Sequence, residues 1–364
     1  MSKHISFFIA RYSYSGVPLA QLRLAKAFAR RGFEVDFVIG YVDSEFKLPD
    51  GLNFEVLNLG QPRTYKLLPR IMAFLRSTQP DIIFSAEDHL NAIVTTAAIL
   101  TGSRAKISAS SRVTPYDTYS NTVFSKRWVL KRLNQLLWKR SDTLTCVSKD
   151  MVLQYQAIFG QTKHQAVYNV IVDTDLERKA SEEVDHPWLI DNDIPVVISA
   201  GRLAPEKGFP DLIAAMKLVN EQMSVRLVIL GEGPLRSELQ QMIEEKGLGQ
   251  HVQLLGYQPN PYKFYAKSRL FVLSSYVEGL PNVLVEAMAC GCNIVSTDCP
   301  TGPREVLMDG QFGELVPVRS PQAMADAIIR SLNVPRDLEK SKKAVFPFTE
   351  EQVFNTYQRI LEIN

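Results

Sequence analysis

The residues able to do chemistry in this chain collect where apolar runs end. The most informative segment is Ser274-Ser275-Tyr276-Val277-Glu278-Gly279-Leu280-Pro281-Asn282-Val283-Leu284-Val285-Glu286. A strand ends at Leu273, and a loop carries Glu278. Gly279, Pro281 and Asn282 then open a helix, which places Glu286 about one turn inside it. The N–H groups of Asn282, Val283 and Leu284 precede any intrahelical acceptor and sit at the positive end of the helix dipole, an arrangement that suits an anion. Two carboxylates flanking an anion site are out of place unless they accept hydrogen bonds from hydroxyls. A diphosphate with a sugar on one side and a ribose on the other supplies those hydroxyls. A plain helix cap beside a surface Glu leaves the carboxylate spacing unexplained.

Other strand ends offer weaker signals. Gly201-Arg202-Leu-Ala-Pro-Glu206-Lys207-Gly208 holds two cations between glycines. An Arg fork and a Lys point charge at a strand-to-helix turn favour a phosphate. Gly231-Glu-Gly233 is half of a dinucleotide fingerprint and lacks the third glycine, which disfavours a dehydrogenase. Thr301-Gly302-Pro303-Arg304 offers a hydroxyl and a guanidinium to the same ligand, or simply a capped helix start. Near the chain start, Ser15-Gly16-Val17-Pro18 turns a strand into a helix, and Gly16 lets backbone approach a ligand closely. Glu87-Asp88-His89 and Ser110-Ser111-Arg112 close two further strands. Asp88 is a candidate to meet substrate hydroxyls, and His89 either faces the cleft, if the strand ends near Ser85, or simply begins a helix. Arg112 either binds a phosphate or pairs with an acid.

The elements positioning these loops alternate between buried strands and amphipathic helices. In the first half, strands are predicted at 5–10, 35–40, 54–59, 81–84, 106–109 and 143–147. In the second, they are predicted at 195–199, 226–230, 252–255, 270–273 and 293–296. Helical periods separate them. This order predicts an α/β chain with two doubly wound Rossmann-like domains, parallel sheets and a shared cleft at the strands' carboxyl ends. The expected boundaries are 1–172 and 193–348, with a final helix over 349–364 returning to the first domain. The chain's 364 residues allow two domains. Its 46% hydrophobic and 22% charged content excludes disordered and collagen-like classes. No apolar run reaches membrane-span length, and the start does not read as a secretory signal. Four cysteines are too few for a disulfide scaffold, which points to a reducing cytoplasm.

A net charge of +2 hides an asymmetry: residues 1–180 carry 24 Lys and Arg against 15 Asp and Glu, and the remainder carries 17 against 24. A basic half suggests an anionic partner. Part of that charge lies on Ser125–Arg140. There Val129, Leu130, Leu133, Leu136 and Leu137 fall within an arc of about 120°, the pattern of a helix packed on a sheet. Arg127, Lys131, Arg132 and Lys139 occupy the other side with Trp128 and Trp138, a mixture that suits anionic headgroups. Nucleic acid is the rival for this charge, but no helix-turn-helix, zinc or RNA-binding signature accompanies it.

Together these elements resemble the GT-B retaining glycosyltransferases of family 4. Gly201-Arg-Leu-x-x-Glu-Lys-Gly208 resembles that family's phosphate signature, and Glu278 through Glu286 its E-x7-E signature. Tyr168-Asn169 through Asp173 matches the interdomain segment. The resemblance implies a fold of two Rossmann-like domains and transfer of a hexosyl or N-acetylhexosaminyl group from a nucleotide sugar, UDP-linked. The acceptor would be a hydroxyl of a polyprenyl-diphosphate-linked saccharide in bacterial surface polysaccharide synthesis. It implies that Arg202 and Lys207 neutralise the diphosphate, Glu286 holds the ribose and Glu278 meets the donor sugar. Gly16, Val17, Gly279, Asn282, Val283 and Leu284 would complete the donor cradle without a metal. Asp88, His89 and Arg112 would face the acceptor. Many relatives place a His soon after the fifth strand; here that loop carries Arg112 instead. The enzyme would work on the cytoplasmic face of the inner membrane, reached through its basic first domain, with no nucleic-acid partner. Two alternatives fit the same plan: a nucleotide-sugar epimerase, and an inactive sugar-nucleotide-binding protein. The intact set Arg202, Lys207, Glu278 and Glu286 argues against the latter.

Overall fold

Two parallel sheets organise the chain, each built around central strands too apolar to face water. The computed structural model describes residues 3–14, 16–44, 46–49, 51–190 and 193–363. It divides into one unit of Met1–Ile171 with Phe348–Asn364, and a second of Val172–Pro347. The segment from 173 to 190, expected to be a connector, thus belongs to the second unit.

The first sheet contains β1 (His4–Tyr12), β2 (Glu34–Val42), β3 (Glu55–Asn58), β4 (Ile82–Ala86), β5 (Lys106–Ser111), β6 (Thr143–Cys146) and β7 (His164–Ala166). Their order is β3-β2-β1-β4-β5-β6-β7. The strands run parallel, with Phe7 opposite both Phe37 and Phe84. Ile5 through Ile9 are buried on both faces of the sheet. Burial of each such apolar side chain stabilises by about 1.5–3 kcal/mol, and the helices on either face supply the cover. The helix Glu350–Ile360 is one of them. Its Phe354 ring lies 4.9 Å from Phe28 and its Tyr357 ring 5.1 Å from Phe84. Arg30 and Arg31 grip Glu350 at 2.6 and 2.8 Å.

The second sheet contains β8 (Val196–Ala200), β9 (Arg226–Leu230), β10 (Val252–Gly256), β11 (Leu270–Leu273), β12 (Asn293–Thr297) and β13 (Glu314–Val316), in the order β10-β9-β8-β11-β12-β13. Val197, Leu227, Ile229, Leu270 and Val272 share one core with Ile213, Met216 and Ile328 from the covering helices. Each sheet reverses its strand order once, between β1 and β4 in the first and between β8 and β11 in the second. At such a reversal the following loops diverge to opposite faces and leave room for a ligand.

One expectation fails. In the helix Lys126–Leu137 only Asn134 and Leu137 are buried. Val129, Leu133 and Leu136, assigned above to a sheet-facing stripe, are exposed. The apolar arc is wider than the buried one, so half of it is left facing solvent.

Candidate functional site

The second unit's reversal brings its chemistry together. β8 and β11 are neighbours, with Phe271 opposite Ile198. The loop after β8 therefore meets the loop after β11. Lys207 Nζ lies 2.6 Å from Glu278 Oε1, although the two are 71 positions apart. Ser275 Oγ donates to the same oxygen at 2.6 Å. The side chains are only 23% and 10% exposed, so water screens this pair poorly.

Backbone contacts lock the two loops. Ser274 Oγ donates to the Lys207 carbonyl at 2.7 Å, and the Tyr276 N–H to the Glu206 carbonyl at 2.8 Å. Gly208 makes the approach possible. Its φ is +63°, and a Cβ there would stand 2.0 Å from the Ser274 carbonyl oxygen. Gly302 does the same for the third loop, where a Cβ would meet Pro281 Cδ at 2.6 Å. Thr301 Oγ1 donates to the Glu278 carbonyl, tying that loop to the second.

The helix Asn282–Ala289 starts directly beyond Glu278 and Pro281. Its Leu284 N–H already donates to the Pro281 carbonyl at 3.0 Å. Leu284 is therefore not an anion donor, a correction to the cradle inferred from spacing: the tight first turn consumes that amide. The Val283 N–H keeps no such bond among the described residues. Gly279 precedes this turn and is half-buried. Glu286 is buried one turn in, where Tyr262 donates to its Oε1 at 3.3 Å. Neither the periodicity nor the motif pointed to Tyr262. Its position two residues after Asn260, whose side chain accepts its N–H at 3.2 Å, is a loop-to-helix signal only.

Arg202 is exposed and makes no side-chain bond among the described residues. Arg304 differs, because Asp298 takes two of its nitrogens and Asp309 a third. It is not a free guanidinium for a ligand. The described charge at this site is thus two cations of different kinds, one held by a carboxylate and one open. Burial pushes the nearby Cys299 thiol up to about 12, with the Glu278 charge adding to the shift, so it stays protonated.

In the first unit, Gly16 is exposed and opens the helix Gly16–Ala29, directly followed by Val17; Ser15 lies outside the described residues. Across the reversal, β4 ends at Ala86 and Glu87 takes φ +78°, strained for a residue with a side chain. Glu87, His89, Thr64, Thr118 and Asp117 line a cavity of about 330 Å³. Burial raises the Glu87 carboxyl above its usual range, with Arg112 opposing the shift. Asp88 sits in the wall of that cavity but is 3% exposed. Ser111 donates to one of its oxygens at 2.9 Å and Tyr155 to the other at 2.8 Å. Asp88 therefore braces the strand ends, which corrects the expectation that it meets hydroxyls. Arg112 is likewise buried, with a nitrogen donating to Asn169. Its guanidinium is held inside the unit against the Asn169 amide and is not an open cation. Glu87, passed over in the sequence, is the better-placed acid: it lines the same cavity and is only half-buried, where Asp88 is buried. His89 is exposed there.

Comparison with known proteins fits this arrangement. The model of Glycosyl transferases group 1 matches residues 180–345. The model of the Glycosyl transferase 4-like domain matches residues 15–169. The chain belongs to the group 1 glycosyltransferases. It is 34% identical over 255 residues to an uncharacterised glycosyltransferase of Methanocaldococcus jannaschii, covering 67% of this chain and 61% of that protein. It is 35% identical over 227 residues to the N-acetylgalactosamine-N,N'-diacetylbacillosaminyl-diphospho-undecaprenol 4-alpha-N-acetylgalactosaminyltransferase of Campylobacter jejuni, covering 61% and 59%. The chain thus spans about three fifths of the length of these relatives. The Anabaena protein HepE, solved in complex with UDP, superposes with a TM-score of 0.76 at 19% identity, covering 99% of each chain. The fold is accordingly that of the GT-B transferases.

Proposed function

We propose that this transferase moves a hexosyl or N-acetylhexosaminyl group from a UDP-sugar to a hydroxyl of a lipid-linked saccharide, with retention of configuration. The observation that carries the donor half is the Lys207–Glu278 pair at 2.6 Å, on loops that also carry Arg202 and lead into the helix Asn282–Ala289. Carboxylate and cation so placed exchange partners readily. An arriving diphosphate competes for Lys207 and frees Glu278 to accept hydroxyls of the donor sugar. Arg202 and the Val283 N–H add charge to the same phosphates, which is the preorganised stabilisation that a leaving diphosphate needs. Glu286, buried and steadied by Tyr262, accepts the ribose hydroxyls. These groups supply the positive charge that a metal supplies in other transferases. UDP in the HepE complex supports the choice of nucleotide.

On the acceptor side the cavity at Glu87 and His89 has the size and polarity of a hydroxyl-bearing group. The diphospho-undecaprenol in the name of the Campylobacter relative supports a lipid-linked acceptor. In this reading the acceptor hydroxyl attacks the anomeric carbon, the bond to the diphosphate oxygen breaks, and the departing phosphate takes the hydroxyl proton on the same face.

Calorimetric titration with UDP, GDP, ADP and a panel of UDP-sugars, with chelator present, tests the reading. Selective UDP binding weakened by Lys207→Ala is expected. Indifference to all three nucleotides would overturn it. Donor turnover without any acceptor would favour an epimerase.

A further inference from the structure

The helix Lys126–Leu137 carries an exposed apolar ridge that nothing in its own unit covers. Phe124, just before it, is 87% exposed, Leu136 66% and Val129 50%. At about 100° per residue, Val129, Leu133 and Leu136 lie within about 60° of one another. They sit on the solvent side of the buried Asn134 and Leu137. Single exposed apolar residues are ordinary, but a ridge of three on one helix, with Phe124 just before it, marks an interaction surface.

The charge around the ridge selects its partner. From Thr118 to Ser141 the chain holds six cations and no Asp or Glu. Lys126 borders the ridge on one side, and Arg132 and Lys139 border it on the other. Lys126 and Lys139 make no ion pair among the described residues. Trp128 lies beyond Arg132 from the ridge, with Phe124 at 5.8 Å and the Arg132 guanidinium at 5.5 Å from its ring. Of the other cations, Arg127 and Lys131 fasten the preceding loop, at the Tyr116 carbonyl and Asn121, and Arg140 bonds the Ser103 and Ala105 carbonyls.

We propose that this face docks on an anionic lipid bilayer, with Phe124, Val129, Leu133 and Leu136 entering the acyl boundary. Lys126, Arg132 and Lys139 would then meet headgroup phosphates. A nucleic acid would be served by the cations but repelled by the ridge. A bilayer satisfies both, because an interfacial helix needs an apolar strip rimmed by cations and aromatic rings. No helix among the described residues is long and apolar enough to cross a membrane, so this is surface attachment. The proposal rests on the helix surface and stands apart from the transferase reading.

The test is flotation of the full chain with vesicles of phosphatidylcholine, with and without phosphatidylglycerol. Three proteins are compared: the parent, the double variant Phe124→Ser with Leu136→Gln, and the double variant Lys126→Glu with Lys139→Glu. All four positions are exposed, so melting temperature and UDP affinity serve as folding controls. The parent is expected to float only with anionic vesicles, and each double variant to lose at least tenfold in partitioning. Flotation of the first variant equal to the parent's would overturn insertion of the ridge. Flotation indifferent to lipid charge, or none for the parent, would overturn the proposal as a whole. A parent dimer that the first variant dissolves, without any flotation, would do the same and assign the ridge to a second copy of the chain.

Discussion

Gly208→Ala should separate the two loops that carry Lys207 and Glu278. The residue has φ +63°, where a side chain costs about 1–2 kcal/mol. Its new Cβ would also stand 2.0 Å from the Ser274 oxygen and 3.1 Å from Tyr276 Cε1. Both neighbours are fixed, the first by the end of β11 and the second by a 2.9 Å hydrogen bond to Asp211. Relief therefore requires the loops to part, which sacrifices the bonds from Ser274 Oγ and the Tyr276 N–H. Each contributes about 0.5–1.5 kcal/mol, so the whole effect is about 3 kcal/mol. For a unit of this size that lowers the melting temperature by roughly 6–12 °C. Two other glycines separate the contributions. Gly247 has φ +68° but open space, so Gly247→Ala bears the backbone cost alone, about 1–2 kcal/mol. Gly249 has open space and no left-handed φ, so its replacement by Ala should change stability by less than about 0.5 kcal/mol. Calorimetric melts of the four proteins read the series, with the second unit's transition recognised by its shift on adding UDP. UDP affinity should fall at least tenfold in Gly208→Ala and stay unchanged in the other two. Equal melting of Gly208→Ala and Gly247→Ala would refute the close approach and with it the geometry of the pair.

Further outcomes follow from the same contacts. Glu278→Gln should leave UDP affinity equal or tighter, because Lys207 loses its competitor, while transfer falls at least a hundredfold; parallel loss of both would sink the division of roles. Glu286→Gln and Tyr262→Phe should weaken UDP binding, the first by about tenfold or more and the second by less, as read by titration. Glu87→Gln should reduce transfer at saturating donor without altering UDP affinity; unchanged transfer would remove the cavity from the acceptor site. His164 gives a pH prediction. Burial against Trp138 and Tyr155 pulls its ring down to about 4 from an ordinary 6.5. Stability is then fully present above pH 6.5. As pH falls toward 4 the unfolded chain gains a proton that the folded one refuses, so the first unit loses roughly 3 kcal/mol. Acid melts of His164→Phe should lack this slope, and an unaltered slope would refute it.

The sequence made the fold's skeleton legible because its central strands are buried on both faces. β9 and β11 lie where the apolar runs Leu227–Leu230 and Leu270–Leu273 put them. β7 and β13 escaped notice for the converse reason. They are three-residue edge strands, and three residues carry no period. The donor side was legible for a different reason: a strand reversal joins loops that spacing alone can already type as helix starts. What spacing could not supply was the state of each group after folding. Asp88 and Glu87 are adjacent carboxylates at one helix start, yet one is bonded inward and the other faces a cavity. The choice depends on Tyr155 and Ser111, which are distant in sequence. The same logic governs the helix Lys126–Leu137. Its apolar arc is a property of the sequence, but the arc that a sheet can cover is set by neighbours. Asn134 is buried because it reaches the Tyr119 hydroxyl at 2.9 Å, and that rotation turns Val129 and Leu136 outward. A polar residue inside and apolar residues outside is costly in water, and the cost is offset where the outer surface is a lipid bilayer.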